Sequence, residues 1–177
     1  QPPFLVFATQ NPVEQEGTYR LPEAQLDRFL FKINVNYPSL DEEVAILESK
    51  HQQKNTNVES MINSVLSAKQ IAEYQTTIKE VIVEDNLLRY IAAVVNNTRT
   101  NANLYLGASP RASIAIMDAS KALAAMNGRD FITPDDIKKV ANPILAHRII
   151  LTPEREMEGF TAEKVVQQLI ESIEIPR

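Results

Sequence analysis

The sequence predicts a mainly helical fold preceded by a short α/β segment with two strands. Three observations point there. Four glycines and 6% aromatic residues among 177 are too few for a many-turned β fold. After residue 39, apolar side chains recur at three- and four-residue steps. Before that point lie one nearly continuous apolar run, residues 4–9, and one alternating run, residues 29–35.

The run 4–9 reads as a buried, parallel, central strand. In 29–35, Phe31, Ile33 and Val35 face one way, and Leu30, Lys32 and Asn34 the other, as a strand requires. Two strands do not make a stable sheet, so this segment is expected to belong to a larger α/β layer. Tyr37-Pro38-Ser39 marks a boundary, giving an α/β part at 1–38 and a helical part at 39–177. Ser39 with Glu42 forms a capping box that opens a helix to about residue 50. Residues 51–60 are polar and read as a loop. Helical stripes follow: Ile71, Tyr74, Ile78 and Val81; Leu87, Ile91, Val94 and Val95; Ile116, Ala119, Leu123 and Met126. Asn127-Gly128 is a stop, because both residues tolerate a left-handed cap. Thr133-Pro134-Asp135-Asp136 is a start, with a cap, a proline at the first position and carboxylates at the positive helix end. Pro143 is expected to kink or split that helix. A last helix runs from about Thr161, with Val165, Val166, Leu169, Ile170 and Ile173 apolar.

At 44% hydrophobic residues the chain can fill a sizeable core. A net charge of −5 argues against a surface devoted to nucleic acid, because phosphate binding is driven by Lys and Arg. Without cysteine there is neither a disulfide framework nor a thiolate metal site, which is compatible with a cytoplasmic location. No apolar run has the length of a transmembrane helix. His51 and His147 lie too far apart to suggest a metal pair, and no metal site is expected.

Three residues carry candidate chemistry. Asn11 lies just past the carboxyl end of the first predicted strand, where open α/β sheets place their ligands. Its amide can hold a phosphate oxygen and an attacking water, or Asn11-Pro12 simply opens a turn. Arg28 ends a short helix beside the second strand. It can stabilise a transferring phosphoryl group on a neighbouring subunit, or complete the helix end and pair with Asp27 or Glu23. Arg111 follows Ser109 as cap and Pro110 at the first helical position. A cation there is mildly unfavourable, by about 0.3–1 kcal/mol, unless an anion is drawn to it. The alternative is an arginine bent back to a nearby carboxylate or solvated. His147-Arg148 reads as helix-end capping, and Asp135 and Asp136 as helix-start carboxylates rather than a catalytic dyad.

Together the motifs resemble the MoxR family of AAA+ ATPases. They are Ala8-Thr9-Gln10-Asn11-Pro12, Glu16-Gly17-Thr18-Tyr19, LPEAQLDRF at 21–29, GASPRA at 107–112, Gly128-Arg129-Asp130 with Thr133-Pro134-Asp135-Asp136, and His147-Arg148-Ile149. The resemblance implies a helical AAA+ lid domain preceded by a remnant of the AAA+ core. It makes Asn11 sensor 1, Arg28 the arginine finger acting in trans, and Arg111 the sensor-2 arginine that faces nucleotide. It further implies ATP and Mg²⁺ as cofactors of a longer parent, a ring oligomer that is often hexameric, and chaperone-like work on client proteins, including von Willebrand factor A domain proteins. No phosphate loop and no acidic Mg²⁺-holding segment occurs in this sequence, so the chain alone is expected not to turn over ATP. A non-enzymatic helical interaction module is the rival reading; a DNA-binding helical domain is a weaker third, against the acidic balance.

Overall fold

The computed structural model describes residues 3–10, 21–52 and 62–176. Their architecture is mainly helical. A four-residue turn of helix, α1 (Glu23–Leu26), precedes α2 (Leu40–Gln52), α3 (Ala68–Lys79) and α4 (Asp85–Thr100). A short strand β1 (Leu104–Leu106) leads into α5 (Pro110–Met126) and α6 (Pro134–Leu145). Strand β2 (Ile150–Leu151), the short α7 (Pro153–Met157) and α8 (Ala162–Ser172) complete it.

The apolar stripes decide the packing. Leu87, Ile91, Val94 and Val95 of α4 are buried, as are Ile116 and Ala119 of α5 and Val165, Val166, Leu169 and Ile170 of α8. The core between them is filled by Ile137, Val140, Ala141, Ile144 and Leu145 of α6. Full burial of each of the Val, Leu and Ile side chains contributes about 1.5–3 kcal/mol. Helix α5 is central: it packs on α3, α4 and α6, while α8 closes on α4 and α6. Its buried face carries Ala112, Ala115, Ala119 and Ala124, and such small side chains let neighbouring helices approach closely. The stripe at the C-terminal end of α5 runs out of partners, since Met126 is exposed. The α3 stripe is only half-buried, and α2 buries no residue.

Helix ends form where the sequence signals them. Ser39 N–H donates to Glu42 Oε2 (2.8 Å) ahead of α2. A second capping box, Ser67 with Gln70, opens α3. At the end of α5, Gly128 takes φ +73°, Gly128 N–H bonds Ala125 O and Arg129 N–H bonds Ala124 O, a Schellman closure. The chain that leaves it turns straight into the cap of α6. Asp136 is buried, accepts from Thr133 N–H (2.8 Å) and Oγ (2.9 Å), and takes a two-pronged grip from Arg129 at 2.7 and 2.6 Å. Asp135 stays exposed, so these two carboxylates are helix-start groups with different fates.

Three local expectations change. The strands predicted at 4–9 and 29–35 do not form; among the described residues the two strands are β1 and β2, paired antiparallel with Leu104 opposite Leu151. An extended segment becomes a strand only when a neighbour takes its backbone hydrogen bonds, and no strand among the described residues pairs with 4–9 or 29–35. Phe4, Leu5, Val6 and Phe7 are correspondingly exposed. Conversely, β1 and β2 are too short to show a period of two and fell within a stretch read as wholly helical. Of the kink or split expected at Pro143, the split does not occur, since α6 continues to Leu145. Among the described residues no helix is long and apolar enough to cross a membrane.

Asp136 yields a prediction. Burial raises its pKa, but the Arg129 guanidinium and the Thr133 donors outweigh that and hold it below the ordinary 3.8. A depressed carboxylate stabilises the fold above its unfolded pKa, and that contribution is lost as pH falls through the lower folded value. Asp136→Asn should therefore cost about 3 kcal/mol at pH 7 in urea unfolding. The gap between variant and parent should narrow progressively below about pH 4.

Candidate functional site

The site grows from the approach to α5. Thr98 Oγ donates to Val95 O (2.6 Å) and accepts from Ala108 N–H (2.9 Å), while Arg99 Nε donates to Ala108 O (2.9 Å). The loop after β1 is thereby pinned against the end of α4. Gly107 is required for that approach: a Cβ there would lie 2.5 Å from Thr98 O. Pinned in this way, Ser109 caps α5 by accepting Arg111 N–H (3.3 Å), with Pro110 at the first helical position, as the sequence predicts.

Against this helix start lies the turn after α1, 82 residues away in the chain. Asp27 accepts the Ser109 hydroxyl at 3.0 and 2.9 Å. Its Oδ1 also accepts Arg148 Nε (3.2 Å), and Arg111 Nη1 lies 3.8 Å from its Oδ2. The cation at the start of α5 has thus drawn a carboxylate, so the back-bent alternative for Arg111 describes the side chain as found. The pair is loose: the Arg111 side chain is 54% exposed and holds Asp27 by one long contact.

Arg148 behaves differently. Its side chain is only 3% exposed. Besides Asp27 Oδ1, it donates to the carbonyls of Asp27 (3.0 Å), Phe29 (2.6 Å), Leu30 (3.2 Å) and Ile144. Beside it, His147 Nε2 lies 3.0 Å from Phe29 O; a carbonyl only accepts, so the proton sits on Nε2. Lys32 N–H bonds Pro143 O (2.9 Å), and Asn34 Nδ2 bonds Glu163 Oε1 (3.0 Å). Residues 27–34 therefore lie along the α6 end of the helical body as a tethered, non-strand segment. Burial lowers the pKa of Arg148, opposed by Asp27, and lowers that of His147. Reading His147-Arg148 as helix capping missed this clamp. The partners of Arg148 other than Ile144 lie about 120 residues away in the chain, and no local pattern signals that.

Of the three predicted residues, Arg111 lies in this cluster and Arg28 stands next to it in the chain. Arg28 is exposed, and among the described residues no hydrogen bond or ion pair engages its side chain, Asp27 and Glu23 included. Asn11 lies outside the described residues. Chemically, Asp27, Arg111 and Arg148 set two guanidinium groups against one carboxylate at a positive helix end. Such an arrangement retains capacity for a further anion.

Two outcomes test this architecture. Gly107→Ala should destabilise the fold by about 1–3 kcal/mol in chemical unfolding, because the new methyl meets backbone that does not yield easily. Arg148→Ala should release residues 27–34, read as faster tryptic cleavage after Arg28 by peptide mass.

Comparison with known proteins places the chain. Residues 96–169 match the family model of the AAA lid domain, and residues 1–31 that of the ATPase family associated with various cellular activities. The chain is 43% identical to the uncharacterized protein YeaC of Bacillus subtilis, over 98% of this chain and 53% of YeaC. It is 38% identical to the chaperone MoxR1 of Mycobacterium tuberculosis, over 99% of this chain and 48% of MoxR1. It thus spans about half the length of these curated relatives. The crystal structure of a candidate ATPase from Cytophaga hutchinsonii superposes with a TM-score of 0.88 at 39% identity, covering 100% of this chain and 56% of that one. Motifs, helical architecture and matches at both ends agree: the chain belongs to the MoxR family of AAA+ ATPases.

Proposed function

We propose that this chain is the C-terminal part of a MoxR-type ATPase that uses ATP hydrolysis to mature or assemble other proteins. Residues 1–38 are then the end of its α/β core, and residues 39–177 its lid. The observation that carries the reading is the meeting of the turn bearing Arg28 with the capped start of α5 bearing Arg111, through Asp27. Two arginines suited to phosphate are held on one fixed frame, one of them free of any partner among the described residues.

The donor set fits the anionic end of a nucleotide. Arg111 is exposed at a helix start that already attracts a carboxylate, and a phosphate is a stronger acceptor for the same guanidinium. In this reading Arg111 holds phosphate as sensor 2. Arg28 reaches across a subunit boundary of a ring, hexameric by family resemblance, and offsets charge on the transferring group. Asn11, as sensor 1, orients the attacking water. Bound Mg²⁺ would neutralise phosphate charge; the groups that hold it belong to the phosphate-loop half of such a core, so this chain alone is inactive. Clients with von Willebrand factor A domains and a cytoplasmic location complete the proposal.

A second reading, a non-enzymatic protein-interaction module, draws on the exposed Leu40, Val44, Ile46 and Leu47 of α2. Hydrolysis decides between them. The protein at the length of its relatives should hydrolyse ATP, and Arg28→Ala should lower kcat by about 10³-fold or more. Arg28→Lys should not restore it, because a point charge does not replace a planar fork. No hydrolysis by the intact protein would favour the interaction module.

A further inference from the structure

We propose that Asp27 is a positioning residue that serves as an exchangeable counter-ion for Arg111, holding that guanidinium until a nucleotide phosphate displaces it. The inference rests on the phosphate-binding role proposed above for Arg111. Its ground is the unequal way in which one carboxylate is shared. Arg148 is buried and anchored by four backbone carbonyls as well as Asp27, so it cannot leave without stranding a charge. Ser109 is fixed by its capping position and gives its hydroxyl to both carboxylate oxygens. Arg111 is the loose partner, more than half exposed and 3.8 Å away.

Exchange is therefore one-sided. When an anion arrives, Arg111 can turn to it while Asp27 keeps the Arg148 guanidinium and the Ser109 hydroxyl, and no buried charge is left bare. Arg111 faces the reverse condition. With no anion present, a cation at the positive end of α5 would be unfavourable, and Asp27 offsets that. The carboxylate thus opposes nucleotide binding modestly and keeps Arg111 close to its station. Because Asp27 adjoins Arg28 in the chain, the same carboxylate ties the state of one arginine to the turn carrying the other.

The test is a double-mutant cycle in the protein at the length of its relatives. Wild type, Asp27→Asn, Arg111→Ala and the double variant are titrated with a fluorescent Mg²⁺–ATP analogue by anisotropy. The amide in Asp27→Asn still accepts from Arg148 and Ser109 but has no charge. It should tighten Kd by about two- to five-fold, the scale of a partly exposed ion pair. That gain should vanish in the Arg111→Ala background and shrink at about 0.5 M salt, where screening lengths fall below 10 Å. Weaker binding by Asp27→Asn, or an equal change in both backgrounds, would assign Asp27 a purely structural role and overturn the proposal. If Asp27→Asn fails to fold, Asp27→Ser, which keeps a hydroxyl toward Arg148 and Ser109, repeats the cycle with the same expectations. Absence of nucleotide binding by folded wild type would instead sink the ATPase reading, and this inference with it.

Discussion

A guanidinium buried without enough acceptors costs several kcal/mol, and the fold around Arg148 is organised to meet that demand. Four main-chain carbonyls and the Asp27 carboxylate converge on it. Three of the carbonyls belong to residues 27–30, which have no strand partner among the described residues to satisfy them. The arginine thus does for this segment what a neighbouring strand does in a sheet. It also makes the segment's position conditional on the α6 end of the helical body.

The start of α5 depends on a second constraint, the absence of a side chain at Gly107. The close passage over Thr98 and Arg99 sets where Ala108 is held, and with it where Ser109 can both cap the helix and reach Asp27. The two constraints meet at one carboxylate. That gives the cluster its asymmetry, a buried side built on Arg148 and an exposed side built on Arg111.

Much of the helical part was legible residue by residue. Ser39 with Glu42, Ser109-Pro110, Asn127-Gly128 and Thr133-Pro134 all mark helix ends where the sequence signals them, because capping joins groups at most a few residues apart. The core stripes of α4 and α8 followed from periodicity for the same reason. The stripe of α3 was over-read, since periodicity shows that a helix has an apolar face but not how much surface its neighbours can cover. Strand placement was misread in both directions. The apolar run 4–9 has strand composition but no paired neighbour among the described residues, while β1 and β2 have neighbours but almost no length.

By itself, the sequence marked most of the helices, several of their caps, the family and the candidates Arg28 and Arg111, because each of these is written in contiguous motifs or in steps of three and four residues. Only the tertiary structure decided which arginine is buried and which are exposed. Arg148, Arg111 and Arg28 have the same side chain. Their difference lies in whether the folded chain brings carbonyls and a carboxylate to them from as far as 121 residues away. A charge's environment is set by such distant encounters, and local spacing carries no record of them.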